Sequence, residues 1–334
     1  MNSGKLFLFF FAICLLFLNS CGIEKAGEPD KNLIYIASDF LYPKDTTLFK
    51  EYCYNTSRIQ IIHIDTDSLD RKLNHEGYSS LIDLMILESS LDLVEFSKSG
   101  KLQRIYSEEH LPEISSLLKG SNNDWFGLAI DPIVIGLGNK NIEKISNYGD
   151  LNKSISWASK LNETETEAAL CGILHRLEKH SDRKEWLSRF FMKKQAFRNI
   201  QDTIGYKLPL LNTYSSFYAD SSLYRNYILK GKVVFPNQRK GGANYVLRGV
   251  GLIKQCRNYD LACDFIKYLF RDDQNQRINN WWNTFPVTYG SNGSYAYQQY
   301  RFKRYPVSME SLSSYLGESK MLNKAHFQKK KANL

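Results

Sequence analysis

Three polar positions stand directly after apolar runs, and their chemistry suits capture of a small cation. Asp39 follows Leu33-Ile34-Tyr35-Ile36-Ala37-Ser38, Glu88 follows Leu81 to Leu87, and Asn212-Thr213-Tyr214-Ser215-Ser216 follows Leu208 to Leu211. Carboxylates are hard anionic oxygen donors, and a phenol with a free pKa of about 10 loses its proton far more easily beside a highly charged metal ion. In open α/β sheets, ligands settle outside the carboxyl ends of strands where strand order switches, or between domains. Each residue also has a plain structural use. Glu88 suits the first turn of a helix, Asp39 suits a turn, and Tyr214 suits a packed aromatic with its hydroxyl satisfied. Asn244 and Tyr245 follow Gly241-Gly242 and either line a cleft or complete the glycine turn. GxSxG, P-loop, HExxH and GxGxxG patterns are absent, and the six histidines pair by spacing with no nucleophile, so an enzyme is not expected.

The elements that must position these groups alternate. Residues 32–37 read as a strand, Pro43 opens a helix to about Tyr54, and Arg58 to Ile64 is a β-branched strand. A helix over 67–75, a strand over 81–87 and a helix over 91–98 complete a strand–helix series that implies a parallel sheet covered by helices. Trp125 to Leu128 and Pro132 to Leu137 read as two apolar runs separated by Asp131. Glu165 to Lys179 and Arg183 to Lys194 are amphipathic helices, and a further helix runs from about Tyr214 to Leu229. Val233 to Phe235 is an apolar run stopped by Pro236, and Gly249 and Gly251 bracket another. Asn258 is placed to cap a helix whose Leu261, Ala262, Phe265, Ile266 and Leu269 share one face.

With 334 residues the chain is long enough for two domains. Residues 1–20 combine Lys5 with an apolar stretch shorter than a membrane span and read as a signal peptide. Residues 21–31 are a polar tether. Cys53, Cys171, Cys256 and Cys263 remain in the folded part, where an exported protein meets oxidising conditions, and four cysteines allow three pairings. The net charge of +9 is concentrated partly at Lys320, Lys324 and Lys329 to Lys331. In an exported chain a solvated basic tail, or one lying on anionic lipid, fits better than nucleic-acid binding.

Leu18-Asn19-Ser20-Cys21-Gly22 resembles a bacterial lipobox. The resemblance implies cleavage before Cys21 and acylation of its thiol, which would hold the protein to a membrane. Further along, Phe235-Pro236-Asn237-Gln238, the glycine loop, Gly249-Val250-Gly251 and Asn258-Tyr259-Asp260-Leu261-Ala262-Cys263-Asp264-Phe265-Ile266-Lys267-Tyr268-Leu269 are similar in order and spacing to the ferric-ion type of periplasmic solute-binding protein, as are Gln276 and Phe285-Pro286-Val287. This resemblance implies a two-lobed α/β fold of the type II periplasmic binding class, each lobe a mixed, mostly parallel sheet flanked by helices. It assigns 32–130 and 237–290 to lobe 1, 131–236 and 291–325 to lobe 2, and 326–334 to a basic tail. It implies a monomer on the periplasmic side of a bacterial membrane, with ABC permease subunits as partners, no cofactor, and Fe3+ or chelated iron as the transported ligand.

Position by position, Asp39 falls where the family places a His, Glu88 on its Glu and Tyr214 on the first of two tyrosines, which makes these three the implied metal ligands. Ser215 falls on the second tyrosine, and Asp131 occupies the segment where the family carries anion-holding arginines. Asp39, Glu88, Tyr214, Ser215, Asn244 and Tyr245 are the expected ligand-facing set. A diverged lipoprotein acting as a sensor or accessory subunit is the alternative expectation.

Overall fold

A computed structural model of the chain describes residues 32–55, 58–77, 80–137, 145–151, 157–178, 181–195, 209–220, 223, 232–288 and 302–332. The leader, Cys21, the tether and the far end of the helix expected after Tyr214 lie outside the described residues.

The first part alternates as the sequence predicts. Strand β1 (Leu33–Ser38) leads through a 3-10 turn (Pro43–Phe49) into helix α1 (Lys50–Asn55), then strand β2 (Arg58–His63) and helix α2 (Thr66–Glu76). Strand β3 (Leu84–Leu87) and helix α3 (Ser90–Lys98) follow. β3 starts later than its apolar run because Asp83 turns aside to accept the Tyr35 amide at 3.0 Å. Both faces of this sheet are covered. Leu84 and Ile86 enter one apolar cluster with Ile34, Ile36 and Phe265, while Met85 and Leu87 enter another with Leu93 and Val94. That two-sided burial explains why these strands read as continuous apolar runs rather than alternating ones.

The two runs around Asp131 are one strand, β4 (Trp125–Leu137), 13 residues long and buried throughout. It joins two sheet regions. The strand order is β2-β1-β3-β9-β4-β7-β5-β6, where β5 is Trp157–Ser159, β6 is Lys194–Gln195, β7 is Leu210–Thr213 and β9 is Tyr245–Leu252; β8 (Lys232–Val234) and β10 (Phe285–Pro286) also pair with β4. β1 and β3 are parallel, as are β5 with β6 and β5 with β7. β9 runs antiparallel to both β3 and β4, so the sheet is mixed.

Helices α4 (Tyr148–Leu151), α5 (Glu163–Arg176), α6 (Arg183–Lys193) and α7 (Tyr214–Ala219) flank the second region. α8 (Tyr259–Leu269) and α9 (Asp272–Trp282) cover the first. Asn258 stands at the N-cap of α8, yet its side chain makes no capping bond. Two closing helices, α10 (Met309–Ser313) and α11 (Leu316–Ala332), touch elements of both expected lobes. Lys98 of α3 donates to Ser313 at 2.9 Å, and Ser319 donates to the Glu167 carbonyl of α5 at 2.9 Å. No helix among the described residues is long and apolar enough to cross a membrane. The four cysteines of the folded part are free thiols.

The glycine loop is built by conformation. Gly241 and Gly242 have φ of +97° and +90°, and a Cβ on Gly242 would lie 2.4 Å from the Lys303 carbonyl. Only glycine reaches this region without strain. Gly242→Ala is therefore expected to cost on the order of 2 kcal/mol, read as a lower urea midpoint at unchanged slope. An unaltered midpoint would contradict this account of the loop.

Candidate functional site

Two strand ends meet where the topology places them side by side. β1 and β3 are parallel neighbours, so the residues following them, Asp39 and Glu88, emerge at the same edge. The Glu88 amide donates to Asp39 Oδ1 at 2.9 Å, and Thr66 at the start of α2 donates to Asp39 Oδ2 at 3.4 Å. Burial raises Asp39 to about 7, with the Glu88 and Asp92 carboxylates adding to the shift and the Glu88 amide opposing it.

The Glu88 carboxylate reaches the second sheet region. Its Oε2 accepts from Asn162 Nδ2 at 3.2 Å. Asn162 is the N-cap of α5 and forms a reciprocal capping box with Glu165: Asn162 Oδ1 accepts the Glu165 amide at 2.8 Å, and Glu165 Oε2 accepts the Asn162 amide at 2.9 Å. The other Glu165 oxygen accepts from Thr213 of β7 at 2.9 Å. A continuous polar path therefore runs Asp39–Glu88–Asn162–Glu165–Thr213. Glu165 is pushed up to about 7, mainly by burial and further by the Asp131 and Glu88 charges.

A cleft of about 620 Å³ opens beside this path, lined by Asp39, Glu88, Asp92, Glu163, Glu167 and Lys320 among others. Lys320 of α11 lies 3.9 Å from Asp92. Burial lifts Asp92 to about 6, and Lys320 opposes the lift. Carboxylates so crowded favour a cation, and Asp39 and Asp92 would have to release the protons that burial helps them keep to take one fully.

Behind the path, Asp131 sits inside β4 with almost no exposure. Oδ1 accepts the Ser215 amide at 3.0 Å, Oδ2 accepts from Ser215 Oγ, and Arg248 of β9 lies 3.5 Å away. Burial raises the Asp131 pKa, against the pull of Arg248 and the Ser215 bonds. These partners explain how a carboxylate stands within a buried strand without breaking it.

The expected set is thus divided. Asp39 and Glu88 come together at the cleft. Ser215 does not face it as a free ligand, because its amide and hydroxyl are both committed to Asp131. Tyr214 does not line the acidic cleft: its ring is fully buried against Tyr218, Phe235 and Phe285, an apolar environment that satisfies the aromatic body. Asn244 is held in place by its neighbours. Its Oδ1 accepts from Arg176 Nε at 3.1 Å, its Nδ2 donates to the Ala169 carbonyl at 3.4 Å, and Gly172 leaves α5 just enough room to approach it. Tyr245 is buried with its hydroxyl unpartnered among the described residues and is raised to about 12 by burial. Asn212 is also wholly buried, with both side-chain amide atoms unpartnered among the described residues. Among the described residues, no group of three or more His, Cys, Asp or Glu side chains is arranged to hold a metal ion.

Asn162, Glu165 and Arg248 were not singled out from sequence. Asn162-Glu163-Thr164-Glu165 carries a readable capping-box pattern, which marks a helix start and a polar group at its tip. Arg248 has only the weak signal of one charge inside an apolar strand.

No family model matches the chain. It is 24% identical over 281 residues to Iron uptake protein A1 of Synechocystis sp. (strain ATCC 27184 / PCC 6803 / Kazusa), covering 75% of this chain and 76% of that protein. Among solved structures, FutA (IdiA) of Trichodesmium in complex with iron and citrate superposes with a TM-score of 0.75 at 20% identity, covering 88% of this chain and 99% of that one. The ferric binding protein from Campylobacter jejuni gives 0.75 at 19%, over 88% and 99%. Apo FutA2 from Synechocystis PCC6803 gives 0.75 at 18%, over 89% and 99%. The chain is thus similar in sequence to an iron uptake protein and has the two-lobed fold of the ferric-binding periplasmic proteins.

The raised carboxylates fix a pH dependence. In the folded chain Asp39, Asp92 and Glu165 keep protons that ordinary carboxylates release near pH 4, so the folded state binds more protons between those values and about 6 to 7. Stability of the unliganded protein must therefore fall as pH rises from 4 to 8 on account of these groups. Asp39→Asn, which keeps an acceptor for the Glu88 amide, should flatten that fall and gain on the order of 1–2 kcal/mol at pH 8. Urea melts at pH 5 and pH 8 measure it, and a variant that loses stability at pH 8 would refute the assignment.

Proposed function

We propose that the chain is the solute-binding component of an ABC importer, which captures an iron-bearing solute between its two lobes and passes it to a permease on the periplasmic side of a bacterial membrane. The supporting observation is the Glu88–Asn162 contact: a carboxylate at a strand end in one sheet region touches a helix tip of the other, beside a cleft whose walls come from both. Closure of two lobes is driven by contacts that exist only when they are closed, and a ligand bridging these groups would supply them. Asp39 and Glu88 provide hard oxygen donors for the cation. Anchoring through an acylated Cys21 belongs to the same proposal.

Isothermal titration of the mature chain with ferric citrate tests the proposal. Saturable binding is expected, and Glu88→Gln should weaken it at least tenfold, equivalent to about 1.4 kcal/mol. Absence of any saturable ferric binding would end the proposal. The colour of the complex decides the role of Tyr214. Burial of its ring behind Phe235 and Phe285 gives the expectation of no phenolate-to-iron absorption band and of unchanged affinity in Tyr214→Phe. A visible band that Tyr214→Phe abolishes would instead make the phenol a ligand.

A further inference from the structure

We propose that Lys320 and Lys324 of α11 are an internal competitor for the cation of the acidic cleft: they hold the vacant cleft, and a cargo cation enters only by displacing them. This rests on the solute-binding function proposed above and concerns how that site refuses weakly bound ions. The cleft wall is acidic on several sides, with Asp67 from the start of α2, Asp92 from the first turn of α3 and Glu163 and Glu167 from α5 beside Asp39 and Glu88. The basic side chains that line it are Lys320 and Lys324. They stand four residues apart on one helix, so they share a face.

The docking of α11 brings this face to the cleft. Ser319 and Asn323, each one residue before a lysine, are buried. Ser319 Oγ donates to the Glu167 carbonyl at 2.9 Å, and Asn323 Nδ2 donates to the Glu163 carbonyl at 3.5 Å. The residues whose carbonyls hold the helix are therefore the ones whose side chains line the cleft. Each lysine follows its docked neighbour by about 100° around the helix, which carries both from the α5 seam to the cleft beside it.

Lys320 makes a contact fit for exchange. Its Nζ lies 3.9 Å from Asp92 Oδ1, and the Asp92 side chain is 13% exposed against 49% for Lys320. Its charge also acts on Glu167, so one ammonium serves carboxylates of both α3 and α5. An ion pair with a half-exposed partner is weakly held and readily exchanged. A tethered group nonetheless acts at an effective concentration on the order of millimolar. Low-affinity extracellular calcium sites have a Kd of about 10⁻⁴–10⁻³ M, so tethered lysines hold a cleft against such an ion. A trivalent centre gains more from every carboxylate and expels them. A displaced lysine and a stationary one leave different signatures. Displacement costs each entering cation the same, whereas a fixed positive charge repels in proportion to the charge of the ion.

Calcium and terbium(III), hard ions of similar size and different charge, separate the two on the full mature chain. Terbium is read by its luminescence and calcium by its displacement of terbium. K320M/K324M is expected to bind both at least threefold more tightly, by factors that agree within threefold. Acetylation of Lys320 by acetic anhydride in the wild type, followed by mass spectrometry, should quicken when terbium saturates the cleft. A thermal melt checks that the variant folds, and Lys320→Met alone repeats the comparison if the double variant does not. The inference falls if the gain for either ion is smaller than threefold, if terbium gains more than threefold over calcium, or if terbium leaves the labelling of Lys320 unchanged or slower. Saturable ferric citrate binding in those cases leaves the solute-binding function standing. Wild type and variant that take up none of the three probes overturn both proposals, whereas matched gains for calcium and terbium with faster labelling, but without any ferric citrate binding, uphold the lysines alone.

Discussion

Like charges in a poorly solvated junction govern this molecule. Asp39, Glu88, Asp131 and Glu165 all lie where β1, β3, β4 and the start of α5 converge, and three of the four are held above the ordinary carboxylate range by burial. An ionised carboxylate withdrawn from water must be paired, hydrogen-bonded or protonated. The fold answers separately at each position. Asp39 takes a backbone amide, Glu165 takes its own helix cap and a threonine, and Asp131 takes both donors of Ser215 with Arg248 nearby. Glu88 alone spends its carboxylate on a contact between the two sheet regions.

That arrangement couples protons, closure and ligand. Under the proposed function, a cation bound at the cleft would displace the protons that burial helps Asp39 and Asp92 keep. The contacts that benefit are the ones bridging the two regions, since Asn162 is reached only when Glu88 and the tip of α5 are close. Lys320 adds a second substitute for the cation, from a closing helix that packs on α5 and approaches Asp92. The proposed closure needs such near-balance. If the empty cleft were fully neutralised by fixed lysines, a ligand would bring nothing that favours the closed form.

Much of the frame was legible because it depends on local rules. The apolar runs at 33–38 and 84–87 are strands in a sheet buried on both sides, and a parallel pair puts the residues after them at one edge, which is why Asp39 and Glu88 were readable as partners. The fate of Tyr214, Ser215 and Asn244 was not legible, since it depends on neighbours distant in sequence. Ser215 is bound by Asp131, 84 positions earlier, and Asn244 by Arg176, 68 positions earlier. A buried aspartate inside an apolar run looks like a break between strands. It becomes a continuous strand only when partners from β9 and α7 close around it. The Asn162–Glu165 cap lay in plain view as a pattern, but its second use, as the far side of a cleft, needed the register of the sheets.

The departures from the ferric-type pattern at 131 and 215 explain one another. A serine at 215 supplies two donors to one carboxylate, its amide and its hydroxyl. Arg248, one strand over, then gives the pair its counter-charge, with its Nε unpartnered among the described residues. The altered residues form one consistent network instead of scattered losses.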